Sequence, residues 1–126
     1  MRTRGFKILV AERNRLVAEA IRDVFLELTG AHQVSIANSL AAALIIAQRT
    51  SPDLMLVGMW LGGHSLEDML RQLEECSPHA GIMVTTSHID TDLQRRALRA
   101  GAIDCVERDQ ILTRAAGIIE QLGAGR

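Results

Sequence analysis

Short apolar runs alternate five times with stretches whose apolar residues recur every three or four positions, and this alternation restricts the fold more than any other feature of the sequence. The runs are Phe6 to Ala11, His32 to Ala37, Leu54 to Val57, Gly81 to Thr85 and Ala102 to Val106. Three of them are almost continuously apolar and rich in β-branched residues, as expected of strands covered on both faces. Between them, Val17, Ala20, Ile21, Val24 and Leu28 form one helical stripe. Leu40, Ala43, Leu44 and Ala47 form a second, Leu66, Met69, Leu70 and Leu73 a third, and Leu93 with Ala97 a fourth. Ile111, Ala115, Ile118 and Leu122 predict a closing helix. Parallel neighbours need long crossovers, so the pattern predicts a three-layer α/β domain, a doubly wound five-stranded parallel sheet with helices on both faces.

The punctuation agrees. Gly30, Gly101 and Gly123 fall just past helical stripes, where a left-handed residue ends a helix. Ser65 with Asp68 three residues later forms a capping box, and Asp90 and Asp109 are placed to accept amide protons at later helix starts. At 126 residues the chain is expected to be one domain with one core, burying roughly 65 to 70% of its unfolded surface. Residues 1–5 and 123–126 are expected to be flexible ends. Whether a C-terminal effector domain follows Ala124 to Arg126 stays open.

Composition narrows the function. Hydrophobic residues are 48% and charged residues 23% of the chain, and no apolar run reaches the roughly 18 residues of a membrane span. The basic start before Phe6 leads into too short an apolar run for a secretion signal, so a cytoplasmic location is expected. The net charge is −1, from 14 basic and 15 acidic residues spread along the chain, which argues against direct nucleic acid binding and against an anionic membrane. With one Trp, two Phe and no Tyr, there is no platform for stacking single-stranded bases. Cys76 and Cys105 lie outside any CxxC spacing and are expected to be reduced thiols. His32, His64, His79 and His88 are scattered, so no metal site is expected, and no cofactor. GxSxG, Walker and GxGxxG sequences are absent, and the chain is expected not to be an enzyme.

In an open parallel sheet, reactive groups gather beyond the carboxyl ends of the strands. Those ends supply Glu12, Arg13 and Asn14, then Gly58, Met59 and Trp60, then Thr86 and Ser87, and finally Glu107, Arg108 and Asp109. Here the chain resembles the receiver domains of response regulators (CheY-like). Lys7-Ile8-Leu9-Val10-Ala11-Glu12-Arg13-Asn14 is similar to the opening strand that runs into an acidic pair. Pro52-Asp53-Leu54-Met55-Leu56-Val57-Gly58 is similar to the third strand, which ends in the phosphorylated aspartate. Gly81 to Ser87 is similar to the fourth strand with its switch hydroxyl, and Arg96 to Val106 to the last helix-to-strand turn. The resemblance implies a flavodoxin/CheY-like sheet of order 2-1-3-4-5 and a role in two-component signal transduction.

The departures bear on function. The resemblance places a divalent cation, usually magnesium, on the acidic pair and the phosphoacceptor. This chain keeps Glu12, has Arg13 at the second acidic position and Gly58 at the phosphoacceptor. Asp53 lies roughly 16 Å back along the same strand and cannot substitute. Thr86 keeps the hydroxyl, and Arg108 stands where the family has a lysine. Gly58, Glu12, Arg13, Thr86 and Arg108 therefore form a degenerate phosphorylation site, and the expectation is an atypical receiver that binds protein partners independently of phosphorylation.

Alternatives stay open at several residues. Gly58 is also readable as a turn residue needing unusual backbone angles. Arg13 either joins Glu12 as a solvated pair or places a fixed positive charge in the vacant cation site. Trp60 is expected to fill the space left at 58, with an exposed partner anchor as the other reading. Arg95, Arg96 and Arg99 with Asp104, Glu107 and Glu120 form either a solvated face or a charge-matched interface; the resemblance implies association, with a partner or with itself, through the fourth helix, fifth strand and fifth helix. A rival function is a sensor of a small anion or metabolite in the cleft of Arg13, Thr86 and Arg108, and a third is the receiver part of a transcription regulator.

Overall fold

A computed structural model describes residues 6–29, 33–111, 113, 114, 117 and 120. The elements alternate as the periodicities require: β1 (Lys7–Ala11), α1 (Arg15–Thr29), β2 (Gln33–Ala37), α2 (Leu40–Thr50), β3 (Leu54–Gly58), α3 (Leu66–Cys76), β4 (Gly81–Thr86), α4 (Thr91–Arg99) and β5 (Asp104–Glu107). A 3₁₀ turn (Arg108–Gln110) follows β5, and Ile111, Thr113, Arg114, Gly117 and Glu120 are helical beyond it. Ala115, Ile118 and Leu122 of the closing stripe lie outside the described residues, as do Gly30, His32, Gly123 and residues 1–5 and 123–126.

The five strands form one parallel sheet in the order β2-β1-β3-β4-β5. Alternation along each strand sends side chains to opposite faces, so the sheet carries two cores. Leu9, Met55, Val57, Ile82, Val84 and Cys105 pack against α2, α3 and α4, through Ala43, Ala47, Leu70, Leu73 and Ala97 among others. Ile8, Val10, Leu54, Leu56, Met83 and Val106 pack on the other face against Ala18 and Phe25 of α1 and against Ile111. All five residues of β3, the central strand, are buried.

The expected stripes of α2, α3 and α4 are the buried faces, with Leu40, Ala43 and Ala47, then Leu66, Met69, Leu70 and Leu73, then Leu93 and Ala97. On α1 the expected stripe is rotated. Ala18 and Phe25 are fully buried with Ile21 beside them, whereas Ala20 is exposed and Val17 and Val24 lie at the flanks. The large Phe25 ring decides which face turns inward.

Caps form where short polar residues precede a stripe. Ser65 Oγ accepts from Asp68 N (3.1 Å) and Asp90 Oδ1 from Leu93 N (2.7 Å). Ser39 and Asn14 do the same for α2 and α1 and went unrecognised in the sequence. Asp109 lies inside the 3₁₀ turn, whose own start has no side-chain cap, and the amides it is expected to cap in the closing helix include residues outside the described ones. Gly101, after α4, has a φ of 108°, as its place past a helical stripe predicts.

Candidate functional site

Strand order reverses between β1 and β3, and the crevice beyond their carboxyl ends is the place such a sheet offers a ligand. Ala11 pairs with Val57, so Glu12 and Gly58 leave the sheet side by side. Gly58 pairs with Thr85 of β4, and Thr86 with Glu107 of β5. Parallel register thus brings Glu12, Gly58, Thr86 and Arg108 to one edge, as the sequence suggests.

Glu12 is the centre of the site, with only 4% of its surface exposed. Its carboxylate accepts from Asn14 N (Oε2, 2.9 Å) and meets Arg108 Nη2 at 3.3 Å and 3.4 Å. Its backbone is held as firmly: Glu12 N donates to the Ala37 carbonyl, and Asn38 Nδ2 donates to the Glu12 carbonyl (both 2.9 Å). A buried carboxylate needs such partners, because an unpaired one would be strongly disfavoured. Asn14 stands among the strand-end residues, but its backbone contact to Glu12 is not readable from the sequence, and neither is the role of Asn38, which follows β2 directly.

The space beside Gly58 is filled by Glu12. A Cβ built there would stand 2.8 Å from Glu12 Oε1, closer than real contacts allow. Backbone angles are not the reason, since positive φ occurs at Gly62, Gly63 and Gly101 but not at Gly58. The turn reading of Gly58 is thereby corrected: its backbone angles are ordinary, and the Glu12 carboxylate from β1 occupies the room that the missing side chain leaves.

Two further expectations change. Trp60 does not fill the space at 58; it is 70% exposed, and Glu12 takes that space. Arg13 is exposed and has no ion pair among the described residues, so the positive charge that meets Glu12 comes from Arg108, across 96 positions of sequence. Asp53 stands before β3, at the end opposite Gly58, where its carboxylate accepts from Lys7 N.

The Thr86 hydroxyl is buried and turned to its own loop, donating to the His88 carbonyl (3.2 Å) and facing His88 N at 3.3 Å. Glu107 Oε2 accepts from Ile89 N at 3.1 Å, so the loop between β4 and α4 is fastened from both strands.

Of the acidic residues expected in a charged interface, Asp104 and Glu107 are engaged internally, while Glu120 is exposed. Asp104 takes Arg114 in a two-nitrogen contact (2.8 Å and 3.1 Å), and Glu107 holds Ile89. Arg96 binds Glu67 of α3 through two nitrogens (2.9 Å and 3.1 Å), and that guanidinium holds the Glu67 carboxyl down to about 2. Arg95 and Arg99 stay exposed and without an ion pair among the described residues. Burial pushes the Cys105 thiol up, consistent with an unreactive core cysteine.

The sequence matches the response regulator receiver domain family over residues 8–115. The chain belongs to that family. A response regulator receiver protein of Anaeromyxobacter sp. (strain Fw109-5) is 28% identical over 97 residues, covering 77% of this chain and 40% of that protein. The chain thus spans less than half of that relative's length. Among solved structures, the signal receiver domain of a DNA-binding response regulator from Colwellia psychrerythraea 34H superposes with a TM-score of 0.85 at 18% identity, covering 94% of this chain and 98% of that one. A LuxR-family two-component response regulator from Aurantimonas sp. SI85-9A1 gives 0.83 at 23%, covering 98% and 88%. A CheY-like receiver domain protein from Methanospirillum hungatei JF-1 gives 0.82 at 16%, covering 98% and 100%. The five-stranded order is the one these receivers share.

The magnesium ion that the receiver resemblance implies does not fit this donor set. Glu12 is the one carboxylate at the crevice among the described residues, and it already neutralises Arg108. Arg13 adds a second permanent positive charge. No group of three or more His, Cys, Asp or Glu among the described residues is arranged to hold a metal ion.

Proposed function

We propose that this receiver domain signals without aspartyl phosphorylation, as a non-enzymatic module that binds a protein partner or a second copy of itself. The observation that carries this reading is the Glu12 carboxylate lying against Gly58 and paired with Arg108. Acyl phosphate formation needs a carboxylate at the strand tip, and Gly58 offers none. Glu12 and Arg108 place a fixed charge pair there, which supports a domain held in one conformation rather than one shifted by a phosphodonor. Asp53 lies at the wrong end of β3 to take over.

The partner face in this proposal is α4 with β5 and the helical residues after it. Exposed Arg95 and Arg99 there flank Leu98, which is 47% exposed, and Ile103 (45%) is close in sequence. An exposed apolar side chain among arginines is common in recognition surfaces. Nucleic acid contact by this segment is not part of the proposal, and no helix among the described residues is long and apolar enough to cross a membrane.

Incubation with acetyl phosphate, or with beryllofluoride and magnesium, tests the reading. The intact mass and the amide NMR spectrum are expected to stay unchanged, and a stable adduct on this domain would overturn it. A second reading, that the receiver serves a longer transcription regulator, draws support from the Colwellia and Aurantimonas neighbours, which are named as a DNA-binding and a LuxR-family response regulator. The length of the complete open reading frame decides that point.

A further inference from the structure

A groove of about 310 Å³ opens beside the strand ends, lined by Glu12, Arg13, Asn14, Trp60 and Arg108. Its volume is at the lower limit of ligand sites, which run from roughly 300 to 1,000 Å³, so it suits one ring system with one anionic group rather than a dinucleotide. The lining combines the chain's single tryptophan with two guanidinium groups.

The charge balance of the groove favours an anion. Glu12 is neutralised by Arg108, and both contacts use one nitrogen, Nη2. Arg108 Nε and Nη1 have no partner among the described residues, and neither has the Arg13 guanidinium. One full positive charge and two sets of planar donors are therefore unspent, and guanidinium forks match carboxylate and phosphate oxygens. Trp60, 70% exposed, adds a flat face of a size that stacks on an aromatic ring or nucleobase.

We infer that the groove between Arg13, Trp60 and Arg108 binds a small ligand that joins a flat ring to a phosphate or carboxylate, of the size of a nucleoside monophosphate. The inference rests on the reading that no phosphorylated side chain or magnesium ion occupies this crevice. It makes the exposed tryptophan and the unpaired arginine parts of one recognition surface, with Glu12 fixing the position of Arg108.

Trp60 reports directly on the groove, because the chain has no other tryptophan and no tyrosine. Titration of the whole chain with AMP, with benzoate and with inorganic phosphate, followed by tryptophan fluorescence, separates ring from anion. AMP is expected to give saturable quenching, benzoate a weaker one, and phosphate alone little change at the same concentration. Arg13→Ala is expected to weaken AMP binding by about tenfold, the effect of one charge-assisted hydrogen bond. A Trp60→Phe variant, read by AMP-induced thermal shift, should keep partial stabilisation. Absence of saturable quenching up to millimolar AMP, or equal affinity in wild type and Arg13→Ala, overturns the inference. Such a failure leaves the phosphorylation test untouched, since that test reads a covalent adduct.

Discussion

The Glu12 carboxylate lies where a side chain on Gly58 would begin, at 2.8 Å from the Cβ position. It is also held by Asn14 N and Arg108, so it cannot withdraw without losing contacts. Gly58→Ala is therefore expected to cost about 1 kcal/mol through crowding. Gly58→Asp should cost more, because two carboxylates then share one buried spot. In urea unfolding, Gly58→Asp combined with Glu12→Gln should be at least about 1 kcal/mol more stable than the sum of the single changes. Additive effects would show that the two side chains do not meet.

Arg108 is the charge partner of a carboxylate with 5% exposed side chain. Arg108→Ala leaves that carboxylate with one backbone donor, and a loss of about 1–3 kcal/mol is expected. Arg108→Lys should retain part of it, since a lysine keeps the charge without the planar fork. Chemical denaturation of the three proteins at pH 7 ranks them.

The Arg96 and Glu67 pair joins α4 to α3 on the surface, and it gives a pH signature. Glu67 has its folded value lowered to about 2 from 4.5, chiefly by the hydrogen bonds from Arg96. The unfolded chain thus binds the proton first as pH falls, so the pair's stabilisation is complete above about 4.5 and disappears towards 2. Both side chains are about half exposed, and solvent limits the contribution to below about 1 kcal/mol. Thermal melts of wild type and Glu67→Gln should differ at pH 7, and the difference should shrink below pH 4.5 and vanish only as pH falls through about 2.

Glu107 fastens the loop between β4 and α4 through Ile89 N. Glu107→Ala frees that amide, and its hydrogen exchange is expected to accelerate by about tenfold, with little change in the protected amides of β3. Unchanged exchange at Ile89 would mean that Thr86 and Asp90 hold the loop without Glu107.

Element types were legible because each strand run is short and each helix stripe keeps its spacing, and α3 shows all four expected residues buried; the strand order was legible only through the receiver resemblance. The stripe of α1 is only partly legible, because Val17, Ala20 and Val24 are as apolar as the true inward face of Ala18, Ile21 and Phe25, and only packing of Phe25 breaks the tie. The site's membership was legible from strand ends, since parallel register must collect them. Its contacts were not. Nothing local says that Glu12 reaches over residue 58, that Arg108 rather than Arg13 meets it, or that Trp60 stays in solvent. Those outcomes depend on side-chain directions fixed by residues tens of positions away.

The Glu12 to Arg108 contact spans 96 residues and needs the ends of β1 and β5 in place before it can close. The loop-closure entropy of such a separation must be offset before the contact can close, so the pair is expected to form after the sheet, at a position of low φ. The charge pair therefore acts as a clasp on an already assembled sheet: cutting it should shorten the lifetime of the native state while leaving the speed of its assembly almost untouched.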